Sequence, residues 1–316
     1  MEQRSPHESV LLAEAISGLA IVRDGVYIDA TFGRGGHSEA ILSELGDKGR
    51  LVVFDRDPEA IEAANKLAAT DSRVEVVRSA FSDLGSIIDS MGLHGNINGV
   101  LFDLGVSSPQ LDNPDRGFSF MRSGPLDMRM DPEEGVSAQQ WINVASEKEI
   151  ADVIYKFGEE RHSRRMARKI VEERTEAPIV DTGRLAEIIK HANPAWERDK
   201  HPATRAFQGI RIFINNEFGE IESGIAQALS CLRTEGRLVV ISFHSLEDRI
   251  VKKFISQQAR GDNFPRDLPV MNSELSPTLK PIGKAAKAKP QEVAANPRAR
   301  SAVLRVAEKI SNKVIG

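Results

Sequence analysis

The sequence predicts an α/β fold: a parallel sheet covered by helices on both faces and interrupted by a helical insertion. Three observations carry this expectation. Strand-like and helix-like stretches alternate through the first third of the chain. The strand stretches are apolar at successive positions, as in strands buried on both faces. Between about 112 and 202 no convincing strand run occurs, and beyond it the alternation resumes.

Residues 26–31 (VYIDAT) form a short apolar run that stops at a Gly-rich turn. Residues 37–45 have helical spacing, with Ile41, Leu42 and Leu45 apolar. Residues 51–54 read as a second buried strand closed by Asp55, and Pro58 suits the first turn of a helix over 59–69. A third strand over 74–77, a helix over 84–91 and a fourth strand over 100–102 ending at Asp103 complete the first half. A Gly/Pro-rich loop then opens a helical stretch with helices at 138–145, 147–157, 164–174 and 182–192. A long helix over about 203–232 leads to a strong strand over 237–243 and a helix over 246–258. A Lys/Pro-rich connection, 268–297, reads as loosely ordered, with a last strand over 301–306. The expected domains are therefore a core of 1–111 with 203–316, and an inserted helical domain, 112–202.

Composition narrows the class. At roughly 150 residues per domain, 316 residues suit two domains or one core with a large insertion. Hydrophobic residues at 41% and charged residues at 28% exclude wholesale disorder. The single cysteine, Cys231, excludes an intrachain disulfide framework, and the histidines show no metal-ligand spacing, so no metal is expected. No apolar run approaches the ~18 residues of a membrane span. Glu2, Glu8 and Glu14 interrupt the N-terminal apolar residues, so a signal peptide is not expected and the setting expected is cytoplasmic. The net charge of −4 does not mark a nucleic-acid binder, although basic residues cluster locally at 161–169 and 280–289.

The chemistry gathers at the predicted strand ends. Gly33, Gly35 and Gly36, between the first strand and first helix, permit a tight turn and close backbone approach to a ligand. A dinucleotide fingerprint started at Gly33 requires glycine where Ser38 stands, so that pattern is incomplete. Asp55, at the second strand end, has the position of a carboxylate that accepts from ribose hydroxyls. Asp57 is its rival and is also placed to cap the next helix. Phe81, after the third strand, suits either a purine face or core packing. The fourth strand runs into DLGVSSPQLD from Asp103, where an acid followed by Ser108-Pro109 fits a site for an exocyclic amine. Gln110 and Leu111 stand where the general amino-methyltransferase motif has proline and an aromatic residue.

Longer strings are more specific. The sequence closely resembles the 16S ribosomal RNA cytosine-N4 methyltransferase family (RsmH/MraW type). The likeness lies in His7 to Leu12 (HESVLL), TFGRGGHS from Thr31, DLGVSSPQLD from Asp103 and RGFSFMRSGPLDMRMD from Arg116. It continues through GEERHSRRMARKIV from Gly158, HPATRAFQGIRIFINNE from His201, ISFHSLEDRIVKKF from Ile241 and NPRARSAVLR from Asn296. The resemblance implies a class I (Rossmann-like) methyltransferase sheet with an inserted helical substrate-recognition domain. It implies S-adenosylmethionine as methyl donor and, as substrate, a cytidine in the decoding region of 16S rRNA within the small ribosomal subunit. Gly35, Gly36, His37, Asp55, Phe81, Asp103 and Gln110 are then donor contacts, joined by Gly33 of the same turn. Asp103, Ser108 and Pro109 are expected at the reacting amine. Arg164, Arg165 and Arg168, with Arg298 and Arg300, are candidates for phosphate contacts, the alternative for the first three being a solvated face paired with Glu159, Glu160, Glu172 and Glu173. His244 reads as structural or substrate-facing. The sequence allows a homodimer without fixing the oligomeric state. The competing readings are a nicotinamide-dependent dehydrogenase, against which Ser38 counts, and a non-catalytic assembly factor.

Overall fold

The computed structural model describes residues 9–194, 201–261 and 275–310. His7 and Glu8 of the first motif, and residues 268–274 of the Lys/Pro-rich connection, lie outside them. The chain divides into two compact units, Met1–Gly105 with Phe218–Gly316, and Val106–Glu217.

The first unit opens with α1 (Leu12–Leu19), a helix the sequence pattern does not announce, and β1 (Val26–Asp29). There follow α2 (Gly36–Glu44), β2 (Arg50–Asp55), α3 (Pro58–Thr70), β3 (Val74–Arg78), α4 (Leu84–Ser90) and β4 (Ile97–Asp103). From β1 onward these match expected elements to within a few residues. In the second unit come α5 (Ser108–Asp112), α6 (Ala138–Val144), α7 (Glu147–Gly158), α8 (Ser163–Glu176), α9 (Thr182–Ala192) and α10 (Thr204–Ile214). The chain then continues with α11 (Glu217–Cys231), β5 (Leu232–Ser242), α12 (Ser245–Arg260), β6 (Leu279–Pro281), β7 (Ala286–Lys287), α13 (Pro290–Ala295) and β8 (Val303–Lys309).

The sheet has the order β3-β2-β1-β4-β5-β8-β6, with β7 also on β8. The first five strands in that order are parallel, and β8 runs antiparallel to β5, β6 and β7. Alternation along each strand sends successive side chains to opposite faces. Val52, Phe54, Val100, Phe102 and Val240 join one buried cluster with Ile88, Ile225 and Val251 from α4, α11 and α12. Leu51, Val53, Leu101, Val239 and Ile241 join the other with Leu19, Ile41 and Ala64 from α1, α2 and α3. Both faces being covered explains the unbroken apolar runs, and each fully buried Phe or Leu contributes roughly 1.5–3 kcal/mol.

The second unit has its own core, in which Trp141, Ile142, Ile154, Met166, Ile170, Leu185, Ile189, Phe207 and Ile210 meet. Its α7 starts with a capping box: Ser146 accepts from the Glu149 amide at 3.2 Å and Glu149 accepts from the Ser146 amide at 2.8 Å.

Four expectations differ from the structure. The single helix over 203–232 is two, α10 and α11. The break falls at Asn215 and Asn216, the latter left-handed with φ +47°, a conformation asparagine tolerates better than most residues. Asn215 is held by accepting from the Met130 amide at 2.8 Å and donating to the Met128 carbonyl at 2.7 Å. The connection 268–297 is ordered where described, carrying β6, β7 and α13. Backbone pairing with β8 orders it, a long-range effect that local composition does not report. The last strand lies at Val303–Lys309. The compact helical unit runs from Val106 to Glu217, against the expected 112–202, because α10 buries Ala206, Phe207 and Ile210 in its core.

Candidate active site

The strand order reverses between β1 and β4, and in open parallel sheets the carboxyl ends beside such a point form the ligand crevice. Three acids stand at those ends. Asp29 closes β1, Asp55 closes β2 and Asp103 closes β4.

Asp29 is buried and shapes the Gly-rich turn. It accepts from the Thr31 amide at 3.1 Å and from the Ser38 hydroxyl at 2.7 Å. Burial pushes its pKa up, opposed by the Ser38 bond, by His37 and by the Thr31 amide. Ser38 is therefore a structural anchor, which accounts for serine where a dinucleotide fingerprint has glycine. Thr31 links the turn to β4 by accepting from the Asp103 amide at 2.6 Å. In this turn Gly33 and Gly35 have φ of +56° and +83°. A Cβ on Gly35 would strike the Phe32 ring at 2.7 Å, and one on Gly36 would run into the Ser9 hydroxyl. At Gly33 a Cβ would meet nothing nearer than the Thr31 oxygen at 3.9 Å, so it would project into open space. Gly35 and Gly36 are thus required by packing, and Gly33 by backbone conformation beside an open cradle.

Asp55 accepts from the Gly33 amide at 2.8 Å and from the Asp57 amide at 2.9 Å. Burial raises its pKa to about 6 against those hydrogen bonds. Asp57 is buried and caps α3, accepting from the Glu59 amide at 3.0 Å. The rivalry between the two acids resolves on geometry: Asp57 is a helix cap, while Asp55 faces the turn.

Phe81 sits in a 3-10 turn after β3, packed edge-on against Phe102 with ring centroids 5.4 Å apart. It is only partly buried, so core packing accounts for one side of the ring and leaves another available.

Asp103 is the most unusual group in the crevice. Its Oδ2 lies 3.6 Å from His37 Nδ1, and its Oδ1 is buried without a hydrogen-bond partner among the described residues. Burial lifts its pKa to about 6; His37 opposes the rise, while Asp29 and Glu247 add to it. His37 is itself buried, with Nε2 3.2 Å from the Val10 carbonyl oxygen.

His244 sits at the start of α12, with its Nε2 3.1 Å from Glu247 Oε1. It is the N-cap of α12: its Nδ1 accepts from the Glu247 amide at 3.3 Å, and Glu247 accepts from the Phe243 and His244 amides at 2.8 and 3.2 Å. Sequence reasoning missed Asp29 and Glu247 as parts of this electrostatic setting. The signal for Asp29 was its place at a strand end directly before the glycines.

In the second unit Ser108 and Pro109 form the first turn of α5. Gln110 is buried and accepts from the Ser107 amide at 2.9 Å, locking that turn. On α8, Arg164 and Arg165 are exposed, and the Arg168 side chain is largely exposed. Lys169 pairs with Glu172 and Glu173, and Arg168 lies 3.8 Å from Glu147. Arg164 and Arg165 have no ion pair among the described residues. In the first unit Arg298 is half-buried with its Nη1 out of solvent, and Arg300 is exposed, both in the 3-10 turn before β8. Among the described residues no helix is long and apolar enough to cross a membrane.

Comparison with known proteins places these features in context. A model of the MraW methylase family matches residues 4–310. Among solved structures, a putative rRNA-methylase from Clostridium thermocellum is similar at 12% identity, covering 96% of this chain and 98% of that one, with a TM-score of 0.45. An rRNA methylase from Streptococcus thermophilus matches at 11% identity, 98% and 99% coverage and a TM-score of 0.43. A putative methyltransferase from Streptococcus mutans in complex with SAH matches at 12% identity, 96% and 99% coverage and a TM-score of 0.42.

Proposed function

The chain belongs to the MraW methylase family, and on that premise we propose that it methylates the N4 amino group of a cytidine in the decoding region of 16S rRNA, within the small ribosomal subunit, using S-adenosylmethionine. The observation that carries the reading is Asp103, a carboxylate at the strand end beside the Gly-rich turn whose side chain is 27% exposed, so that a bound hydrogen donor can reach it.

The residues present fit the donor. S-adenosylmethionine supplies a methyl group on a sulfonium, which leaves as a neutral thioether. Asp55 keeps lone-pair capacity beyond that used by the Gly33, Asp57 and Arg56 amides, enough to accept from a ribose hydroxyl. The free side of Phe81 suits a purine face, and the open space at Gly33 lets the backbone approach. His37, Gly35 and Gly36 hold the turn that forms this cradle.

The cytosine amine is a poor nucleophile, because its lone pair is delocalised into the ring. Alignment in the site contributes up to ~7–11 kcal/mol in well-oriented systems. Asp103 accepting an amino hydrogen favours a pyramidal nitrogen and stabilises its developing positive charge. The proton departs after transfer, so a strong base is not required. Ser108 and Pro109 are assigned to the target base, and Gln110 to the donor, on the strength of the DLGVSSPQLD motif. Arg164, Arg165 and Arg168, with Arg298 and Arg300, are assigned to phosphates of a shaped RNA. A base extruded from structured RNA costs a few kcal/mol, which such contacts offset.

The test is incubation with labelled donor and undermethylated small subunits, followed by nucleoside analysis. Label in N4-methylcytidine is the expected result. Label in another nucleoside would overturn the substrate. Failure to bind S-adenosylmethionine by calorimetry would favour the non-catalytic assembly role.

A further inference from the structure

The stretch whose composition reads as loose carries α13, and α13 reaches the start of α1. Glu292, in the first turn of α13, accepts from the Leu11 amide at 2.7 Å. Lys289, the N-cap of α13, pairs with Glu14 of α1 at 3.1 Å. Val293 packs against the buried cluster that holds Val10 and Leu11. Leu11, the N-cap of α1, is left-handed with φ +53°. A residue with a Cβ keeps that conformation only where its surroundings fix it. Here the leucine side chain is buried and the amide is held by a carboxylate.

The two residues before Leu11 lie against the first turn of α2. Ser9 stands so close to Gly36 that a Cβ there would run into its hydroxyl. The Val10 carbonyl oxygen is 3.2 Å from His37 Nε2. On the other side, β7 anchors α13 to the sheet, with Ala286 and Lys287 paired to Leu304 and Val303 of β8. A continuous run of contacts therefore leads from β8 through β7 and α13 to Leu11, and from Ser9 and Val10 to the Gly-rich turn. We infer that Glu292 is a positioning residue for donor binding: by latching the Leu11 amide it holds Ser9 and Val10 against the turn that carries Gly35, Gly36 and His37. The inference rests on the reading of that turn as part of the S-adenosylmethionine cradle. Glu292 acts through the backbone of residues 9–11, as a hydrogen-bond acceptor, so its effect belongs to donor affinity. A simple cap would stabilise α1 and leave donor affinity alone.

The experiment compares the wild type with Glu292→Ala and Glu292→Gln, well below their unfolding midpoints. The Ala variant has no acceptor for the Leu11 amide, whereas the Gln side-chain carbonyl can take the same bond. Calorimetry should show S-adenosylmethionine bound roughly tenfold more weakly by Glu292→Ala, within the usual range of coupling between linked sites. Glu292→Gln should bind close to wild type. Hydrogen exchange of the Leu11 amide and of the first turn of α2 should quicken together in the Ala variant. Unchanged donor affinity in Glu292→Ala overturns the inference and leaves Glu292 as a cap. Equal weakening in both variants also overturns it, because the lost charge and not the bond would then be the cause.

A second readout needs no variant. Coupling is reciprocal, so saturating S-adenosylmethionine should slow exchange of the Leu11 amide in the wild type. Protection confined to the Gly-rich turn and the strand ends would overturn the inference. A wild type that binds no S-adenosylmethionine defeats the reading of the turn as a donor cradle. Quickened exchange of that turn in Glu292→Ala would then still show the latch.

Discussion

At Asp55 the carboxylate accepts from the backbone amides of Gly33, Asp57 and Arg56, which leaves lone-pair capacity for a further donor. Asp55→Ala should weaken S-adenosylmethionine binding by roughly ten- to hundredfold, from loss of one charge-assisted bond worth about 1.5–3 kcal/mol. Asp57→Ala should instead lower stability by about 1 kcal/mol, the usual loss on removing an N-cap, with donor affinity little changed. Calorimetry and denaturant unfolding of the two variants separate the roles, and the opposite pattern would exchange them. Asp103 carries a prediction about pH. Its folded pKa is raised to about 6 from the ordinary 3.8. Between those values the folded state binds more protons than the unfolded state, so this group lowers stability as pH rises through the window. Asp103→Asn lacks that effect. The variant's melting temperature relative to wild type should therefore be higher at pH 7.5 than at pH 4.5, while methyl transfer is lost. A difference in melting temperature that does not vary with pH would show that the carboxylate ionises without cost. Retained transfer would mean that another group orients the amine.

At the scale of elements, two glycines explain why α10 belongs to the helical unit. A Cβ on Gly158 would run into the Arg205 carbonyl, and one on Gly209 would lie 2.9 Å from the Gly158 amide nitrogen. The helices α7 and α10 therefore meet backbone to backbone. Gly209→Val should force them apart and cost roughly 1–3 kcal/mol, as overpacking does. The check is a lower thermal unfolding midpoint, and an unchanged midpoint would show that the crossing relaxes freely. Helix α8 turns its apolar residues Met166, Ala167 and Ile170 into the core and its arginines outward. Paired acids account for Lys169 and Arg168 but not for Arg164 and Arg165. Among the described residues, Arg164 and Arg165 are therefore the α8 cations in this cluster without an ion pair.

For the whole molecule, a net charge of −4 opposes RNA binding on average, so any affinity must come from local patches. If α8 contributes, binding to small-subunit particles should fall steeply with salt. Replacing Arg164, Arg165 and Arg168 with Ala should then flatten the log–log slope by roughly 0.7–0.9 for each phosphate no longer neutralised. Donor affinity should stay unchanged, because groups that bind phosphates position RNA without touching the donor crevice. The measurement is a salt titration of wild type and triple variant. Superimposable slopes would exclude α8 and shift attention to Arg298 and Arg300.

The parallel sheet, its first four strands with the three helices between them, the helical insertion and the strand-end acids Asp55 and Asp103 were legible in the sequence, because each is written in local patterns. An apolar run, a proline at a first turn or a glycine cluster acts through neighbours a few residues away. What local patterns could not report was decided by distant residues brought together. Asparagine at 215 and 216 breaks a helix whose periodicity runs on, and backbone pairing with β8 orders a stretch whose composition reads as loose. The same holds within the site. Asp29, Asp55 and Asp103 look alike as strand-end acids, and only folding makes one an anchor of the turn, one an acceptor of the Gly33 and Asp57 amides and one a half-satisfied carboxylate beside His37. Burial and the charges that gather around a group set its protonation, and both depend on residues far apart in sequence that the sheet places side by side.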